Sequence, residues 1–235
     1  MNQGSIYIIP SQISKESSVN TINNHLIEVV KSIEFFIVEN IRTARRFIKK
    51  LDNNKNIDKI TFLLINKHNR FDFQSEISKT LAEKKDIGIL SESGYPCVAD
   101  PGSKILKFAH EKNIKVIPLI GPSSIILALS SSGLNGQKFS FNGYLSIDTI
   151  NRKKEIHLAQ KKVIKNDETQ IFIETPFRNQ KTFEALIKNC DENLLLCCAV
   201  NLTSKFEVIQ TKKINHWQKI IFNLPKQPAV FLIGK

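Results

Sequence analysis

Short apolar runs alternate along this chain with longer segments in which apolar residues recur at helical spacing. Ser5–Ile9 is a β-rich run stopped by Pro10, and Phe35–Val38, Lys59–Ile65, Ile87–Leu90 and Lys115–Leu119 repeat the pattern. Each reads as a buried strand, because a strand covered on both faces has no polar side to present. Between them, Leu26, Val29, Val30 and Ile33 mark one face of a helix over Asn24–Ile33. Ile41, Ala44, Phe47, Ile48 and Leu51 mark another over Ile41–Leu51, the most clearly amphipathic stretch in the chain. Phe73, Ile77 and Leu81 repeat every four residues in a helix ending near Lys85, and Ser103–Glu111 turns Ile105, Leu106, Phe108 and Ala109 inward. Strands alternating with helices predict βαβ units and a parallel sheet. Pro122 suits the first turn of a further helix, SSIILALS.

From Gly133 the texture changes. A strand over Lys138–Leu145 is interrupted by Asn142-Gly143 and followed by a strongly basic helix from about Ile150 to Lys165. Strand Gln170–Glu174, helix Asn179–Lys188 and strands Leu194–Leu202 and Phe206–Ile214 come next, the last two close enough to pair antiparallel. A short helix around Trp217 and strand Ala229–Ile233 close the pattern. The expectation is α/β, with a parallel-sheet domain over residues 1–122 and a mixed-sheet domain over 123–235. Each is large enough for its own core.

Composition narrows the class. No apolar run approaches the roughly 18 residues of a membrane span, and MNQGSIYIIP has no basic segment leading into a long apolar one, so the expected location is cytoplasmic. Cys97, Cys190, Cys197 and Cys198 lack CxxC spacing and His partners, so no metal site is expected and the thiols read as reduced and structural. The net charge is +12, and both halves share it, with 18 Lys and Arg against 13 Asp and Glu before Pro122 and 16 against 9 after. That balance attracts polyanions, although a Lys-, Asn- and Ile-rich composition produces the same number without any function. Arg42, Arg45, Arg46, Lys49 and Lys50 share one face of the Ile41–Leu51 helix without interleaved Glu. The face is either solvated or contacts phosphates.

The candidate chemistry lies where strands empty into small and turn-forming residues: Glu39-Asn40, Ser91 to Gly102, Gly121 to Ser124, Asn142 to Tyr144, and Glu174-Thr175-Pro176. Loops at the carboxyl ends of parallel strands gather on one edge, where open α/β sheets bind ligands. Neither GxGxxG after the first strand nor GxxxxGK[ST] is present, which argues against a dinucleotide or nucleoside triphosphate. His25, His68, His110, His157 and His216 all fall outside these loops and read as surface residues.

The segments SESGYPCVADPG, IPLIGPSSIILALSSSGL and FSFNGYL, in that order, closely resemble the tetrapyrrole methylase superfamily, and within it the small-subunit ribosomal RNA cytidine 2′-O-methyltransferases. Looser likeness extends to Ile8–Pro10, Glu39–Arg46, Ile173–Arg178 and Ala199–Thr203, so it covers nearly the whole chain. The resemblance implies two α/β domains with S-adenosylmethionine held in the cleft between them, RNA of the small ribosomal subunit as substrate, and a homodimer. Carried over by position, Ser91, Gly94, Pro96, Asp100, Ser123 and Ser124 would line the cofactor site, completed by Asn142, Gly143, Tyr144, Glu174 and Thr175. Glu39 and Glu92 would handle the proton or orient the substrate, and Arg42, Arg45 and Arg46 would hold phosphates.

The chain also departs from the family pattern. Ser11-Gln12-Ile13-Ser14 replaces a threonine-proline-isoleucine-glycine loop, and Asn40 stands where the family has aspartate. Asn201 and Ser204 replace a glutamate and a lysine, and Gln227-Pro228 replaces a glycine-glutamate pair. Three readings follow: an RNA ribose methyltransferase, a methyltransferase for a tetrapyrrole-like small molecule or another RNA position, and an RNA-binding homologue without catalysis.

Overall fold

The computed structural model describes residues 3–65 and 73–235, so His68 lies outside the described residues. The chain forms two compact units, residues 1–123 and 124–235.

In the first unit β1 (Ile6–Ile9), β2 (Phe35–Val38), β3 (Thr61–Leu64), β4 (Ile87–Leu90) and β5 (Val116–Pro118) form one sheet in the order β3-β2-β4-β1-β5. Every pairing in it is parallel. The helices are α1 (Asn24–Ser32), α2 (Ile41–Leu51), α3 (Phe73–Ala82) and α4 (Ser103–Glu111). Successive strand residues point to opposite faces, and the two cores follow that alternation. Phe36, Val38, Ile9 and Leu90 pack with Leu26 and Val30 of α1 and Ala44 and Ile48 of α2. Phe35, Ile37, Ile6, Ile8, Ile87 and Ile89 pack on the other face with Ile77 and Leu81 of α3 and Ile105 and Phe108 of α4.

This topology has a consequence for the loops. The chain leaves β1 and β2 toward one face and β4 toward the other, yet β1 and β4 are neighbours. Their carboxyl ends therefore diverge at a switch point of the sheet. Gly88 sits mid-sheet beside it, and a Cβ there would come within 2.7 Å of Ile9 and 2.9 Å of Phe36, so no larger residue fits.

The second unit contains β6 (Phe139–Phe141), β7 (Thr169–Glu174), β8 (Leu195–Val200), β9 (Val208–Lys213) and β10 (Ala229–Gly234). Their order is β6-β7-β10-β8-β9, with β6 parallel to β7 and the other pairs antiparallel. Helices α6 (Thr149–Asn166), α7 (Asn179–Asn189) and α8 (Ile214–Trp217) cover one face, where Ile156, Phe172, Phe183, Phe231 and Trp217 form the core. Trp217 Nε1 donates to the Leu196 carbonyl at 2.9 Å, giving the one polar atom of a fully buried ring a partner. Helix α5 (Ser124–Ser132) lies against the opposite face, where the Thr211 hydroxyl donates to the Ser132 carbonyl.

Two expectations need correction. The strand expected over Lys138–Leu145 ends at Phe141, because Gly143 adopts φ +69° and turns the chain away. Pro122 lies outside the helix it was expected to start, which begins at Ser124. Just before it, Gly121 packs against Pro10 so closely that a Cβ would sit 2.2 Å from the Pro10 ring.

Arg178 is the main polar clamp of the second unit. Its Nη2 lies 3.1 Å from Glu174 Oε2 and donates to the Leu145 carbonyl at 2.6 Å. The Glu174 side chain is fully buried and also accepts from the Thr175 amide and the Thr182 hydroxyl, both at 2.8 Å. Removing one partner of such a pair leaves a buried charge. Arg178→Ala is therefore expected to lower unfolding stability by about 3 kcal/mol. Arg178→Lys is expected to recover part of the loss, since both contacts are made by the single nitrogen Nη2, whose place one ammonium can take. Denaturant titration measures both.

Candidate functional site

The carboxyl edge of the first sheet is where the candidate residues collect. The loop after β4 is bonded to its neighbours on both sides. Ser11, just past β1, donates its amide to the Gly94 carbonyl at 2.8 Å, and the Ser93 hydroxyl donates to the Ile13 carbonyl at 2.8 Å. On the other flank the Tyr95 hydroxyl donates to the Leu119 carbonyl and accepts from the Gly121 amide, each at 3.1 Å. Ser91, buried, donates its hydroxyl to the Gly94 carbonyl at 3.0 Å and so ties the loop to its own start. The loops after β1, β4 and β5 thus form one bonded structure at the switch point.

That structure is held under backbone strain. Gly94 and Gly102 have φ of +68° and +131°, and the non-glycine residues Cys97 and Ala99 have φ of +68° and +64°. A non-glycine residue in this region costs on the order of 1 kcal/mol or more and persists only where its surroundings enforce it. Gly102 is required by its neighbour, since a Cβ would lie 2.6 Å from the Cys97 sulfur.

Glu92 is exposed on this loop, and the Thr43 hydroxyl lies 3.1 Å from its Oε1. Thr43 belongs to the first turn of α2, whose start is capped by Asn40 Oδ1 accepting from the Arg42 and Thr43 amides. The structure therefore brings Glu39, Asn40 and Glu92 to one edge. Asn40, standing where the resembled family has aspartate, serves as a neutral cap. Burial pushes the Cys97 thiol up to about 11, with the charges of Asp100 and Glu39 adding to it.

Of the three arginines, Arg45 places its guanidinium 5.6 Å above the Phe62 ring. The side chains of Arg42 and Arg46 are exposed and make no hydrogen bond or ion pair among the described residues. Lys50 is tied to Gln12 Oε1 at 2.7 Å and Lys49 to the Asn53 carbonyl at 2.7 Å. The basic face is thus part structural and part open.

In the second unit, Asn142–Tyr144 follow β6 and Glu174-Thr175 end β7, at the same edge of their own parallel pair. Gly143 and Tyr144 offer backbone there, with the Gly143 carbonyl accepting from the Ile173 amide at 3.0 Å. The Glu174 carboxylate is already occupied by Arg178, Thr175 and Thr182.

Sequence reasoning passed over Tyr95, Thr43 and Ser11. Tyr95 stands inside the Gly/Pro-rich run, and an aromatic amid turn residues was the available sign of it. Thr43 carried the pattern of an Asn followed three residues later by a hydroxyl at a helix start. Ser11 had no local signal, because its partner lies in another loop.

As chemistry, the loop from Ser91 to Gly102 offers backbone groups and small side chains, and its only charged residues, Glu92 and Asp100, are acidic. That donor set fits a small ligand carrying positive charge and bound largely through main-chain groups. Among the described residues, no group of His, Cys, Asp or Glu is placed to hold a metal ion.

The first unit is thus a parallel α/β sheet with a strained, hydrogen-bonded loop at its switch point, and the second is a mixed-sheet α/β unit. The chain belongs to the family of tetrapyrrole (corrin/porphyrin) methylases, whose model matches residues 27–216. It is 32% identical over 213 residues to ribosomal RNA small subunit methyltransferase I of Buchnera aphidicola subsp. Schizaphis graminum, covering 90% of this chain and 70% of that one. It is 25% identical over 235 residues to the protein of that name from Escherichia coli O157:H7, covering 99% of this chain and 78% of the other. The crystal structure of the methyltransferase CobJ is similar in fold, with TM-score 0.62 at 14% identity over 99% of this chain and 94% of that one. That of uroporphyrin-III-C-methyltransferase from Thermus thermophilus has TM-score 0.57 at 14% identity, over 100% of this chain and 93% of that one. No described helix is long and apolar enough to cross a membrane.

Two measurements test the site as a physical object. Tyr95→Phe leaves the Leu119 carbonyl and Gly121 amide without their shared partner, and a loss of about 1–3 kcal/mol is expected in thermal unfolding. Exchange of the Gly121 amide with solvent should also accelerate. The second test is alkaline. Burial raises the Cys97 thiol to about 11 and that of Cys190 to about 12, from an ordinary 9.0. Above pH 9 the unfolded chain then sheds protons that the native chain keeps, so stability falls as pH rises through the window from 9 to 11. A denaturation midpoint that stays flat across that window contradicts the assignment.

Proposed function

We propose that the chain is an S-adenosylmethionine-dependent methyltransferase acting on RNA, at a ribose 2′-hydroxyl of small-subunit ribosomal RNA. The observation that carries the reading is the strained Ser91–Gly102 loop, whose acidic and main-chain character suits a sulfonium cofactor and whose sequence matches the family's. The substrate is taken from relatives named ribosomal RNA small subunit methyltransferase I, and the net charge of +12 supports it. A cytoplasmic setting and a homodimer accompany the proposal.

In this reading the cofactor candidates of the first unit are Ser91, Gly94, Pro96, Asp100 and Ser123, and those of the second unit are Ser124, Asn142, Gly143, Tyr144 and Thr175. Glu174 acts by positioning, because its carboxylate is spent on Arg178 and Thr182. When bound, S-adenosylmethionine supplies an electrophilic methyl group. The protein's part is to align a weak nucleophile and take its proton. Glu92, exposed and steadied by Thr43, is assigned that proton, and Glu39 orients the sugar. Arg42 and Arg46, exposed on α2, hold the flanking phosphates, and Arg45 does so while stacked on Phe62. The departures at Asn40, Asn201, Ser204 and Gln227-Pro228 favour a second reading, in which the same cofactor serves a different substrate.

Calorimetric titration with S-adenosylmethionine, then incubation of the protein with methyl-labelled cofactor and small ribosomal subunits from cells lacking it, tests both readings. Saturable binding and label on RNA are expected. Glu92→Gln should lower the transfer rate by about 100-fold with cofactor affinity kept. Arg42→Gln and Arg46→Gln should each reduce the salt dependence of RNA binding by about one counterion. Cofactor binding without labelled RNA moves the assignment to the second reading, and absence of binding removes both.

A further inference from the structure

Two large aromatic rings stand out at the carboxyl edge of the second sheet. Phe177, in the turn after β7, is 88% exposed, and Phe206, in the turn between β8 and β9, is 59% exposed. Leaving a phenylalanine side chain in water forgoes the favourable burial that drives folding, and both belong to a chain with well-filled cores. Neither exposure comes from a loose segment. The Phe177 turn is closed by the Arg178 and Asn179 amides, both donating to the Thr175 carbonyl at 3.1 Å, and Arg178 clamps it to Glu174 and Leu145. The Phe206 turn is closed by its own amide on the Ser204 hydroxyl at 3.0 Å and by the Thr203 amide on Glu207 Oε2 at 2.7 Å. Thr203 holds φ of +67° in that turn, a conformation a β-branched residue adopts only when it is enforced. The structure invests order, and some strain, in keeping two rings out in solvent.

The parent strands show that the rings share one edge. β8 runs parallel to β7 with β10 between them, so both turns follow carboxyl ends on the same side of the sheet, from strands about 10 Å apart. Cations stand next to both turns, among carboxylates that are hydrogen-bonded. Lys205 Nζ sits over one face of the Phe206 ring, 4.9 Å from its centroid, which leaves the other face for a base, and Lys226, just before β10 on the same edge, is exposed. The carboxylates there already have partners: Glu174 in Arg178, Glu207 in the Thr203 amide, and Asp148 as the cap of α6, accepting from the Asn151 amide.

Ordered, exposed rings with cations among their neighbours match what unstacked bases on a phosphate backbone require. We propose that Phe177 and Phe206 form a stacking platform for unpaired bases of the RNA substrate, reading single-stranded rather than helical RNA. This inference rests on the RNA reading above and specifies the form in which the substrate is taken. It assigns no chemistry to the two rings, which are positioning residues.

The test uses the full chain and a fluorescein-labelled single-stranded RNA of about ten nucleotides, within the span such platforms cover, alongside a duplex of the same length. Phe177→Ala and Phe206→Ala are each expected to weaken single-strand binding about tenfold. Phe177→Trp should preserve it, and duplex binding and S-adenosylmethionine affinity should not move. A stack involves no counterion release, so the slope of log affinity against log salt should stay at the wild-type value, unlike that of the α2 arginine variants. Wild-type affinity in both alanine variants, with RNA bound normally, overturns the inference and leaves the RNA reading standing. A change of oligomeric state by light scattering in either variant also overturns it, by assigning the rings to contact with a second copy. Absence of any RNA binding by the wild type overturns both readings together.

Discussion

Parallel strand pairing is the constraint on which the first unit depends. Five strands running the same way must each leave the sheet at one edge and return by a helix to the other. The loops that leave are therefore concentrated in a small area, and their backbone groups have no sheet partners there. The structure meets that demand by bonding the loops to one another. Tyr95 serves both a carbonyl and an amide of the loop after β5, Gly94 receives the Ser11 amide, and Ser93 reaches Ile13. Once these bonds exist, the backbone between them can be held in conformations that would otherwise relax, as at Cys97 and Ala99.

The second unit solves a related problem differently. Its central strand, β10, runs against both neighbours, so the edge that carries Asn142 and Thr175 also receives the chain entering β10. Polar anchoring there falls to a buried ion pair rather than to a mesh of backbone bonds. Arg178 is the hub, because one planar cation can satisfy a buried carboxylate and a carbonyl of another loop at once. Together with the Arg178 and Asn179 amides on the Thr175 carbonyl, that side chain holds the turn after β7, so an almost fully exposed phenylalanine sits in a defined position.

Much of the first unit was legible in sequence because its signals are local. Phe35–Val38, Ile41–Leu51, Ile87–Leu90 and Ser103–Glu111 have the bounds their residue patterns suggest, since buried parallel strands are apolar throughout and surface helices show a stripe. Misjudged boundaries trace to contacts between distant residues. Pro122 carries local signs of a helix start, yet the helix begins at Ser124, in a loop whose Gly121 packs against Pro10, more than a hundred positions away. The same holds for the site. Glycine, serine and acidic residues marked the loop, whereas the Tyr95 bridge, the Thr43–Glu92 contact and the enclosure of Glu174 depend on tertiary geometry that no spacing encodes.

The register that sets Pro118 opposite Ile8 has a further effect. Leu119 turns its amide toward β1 and donates to the Ile8 carbonyl, so Pro118, one residue earlier, directs its nitrogen at the open side of the edge strand. Proline has no hydrogen to give there, and the position where another strand would dock is blunted. Sheet extension along that side is thereby discouraged, which guards a three-residue edge strand against fibrillar stacking. Pairing of two copies would then have to proceed through helices or loops rather than by merging their sheets along this edge.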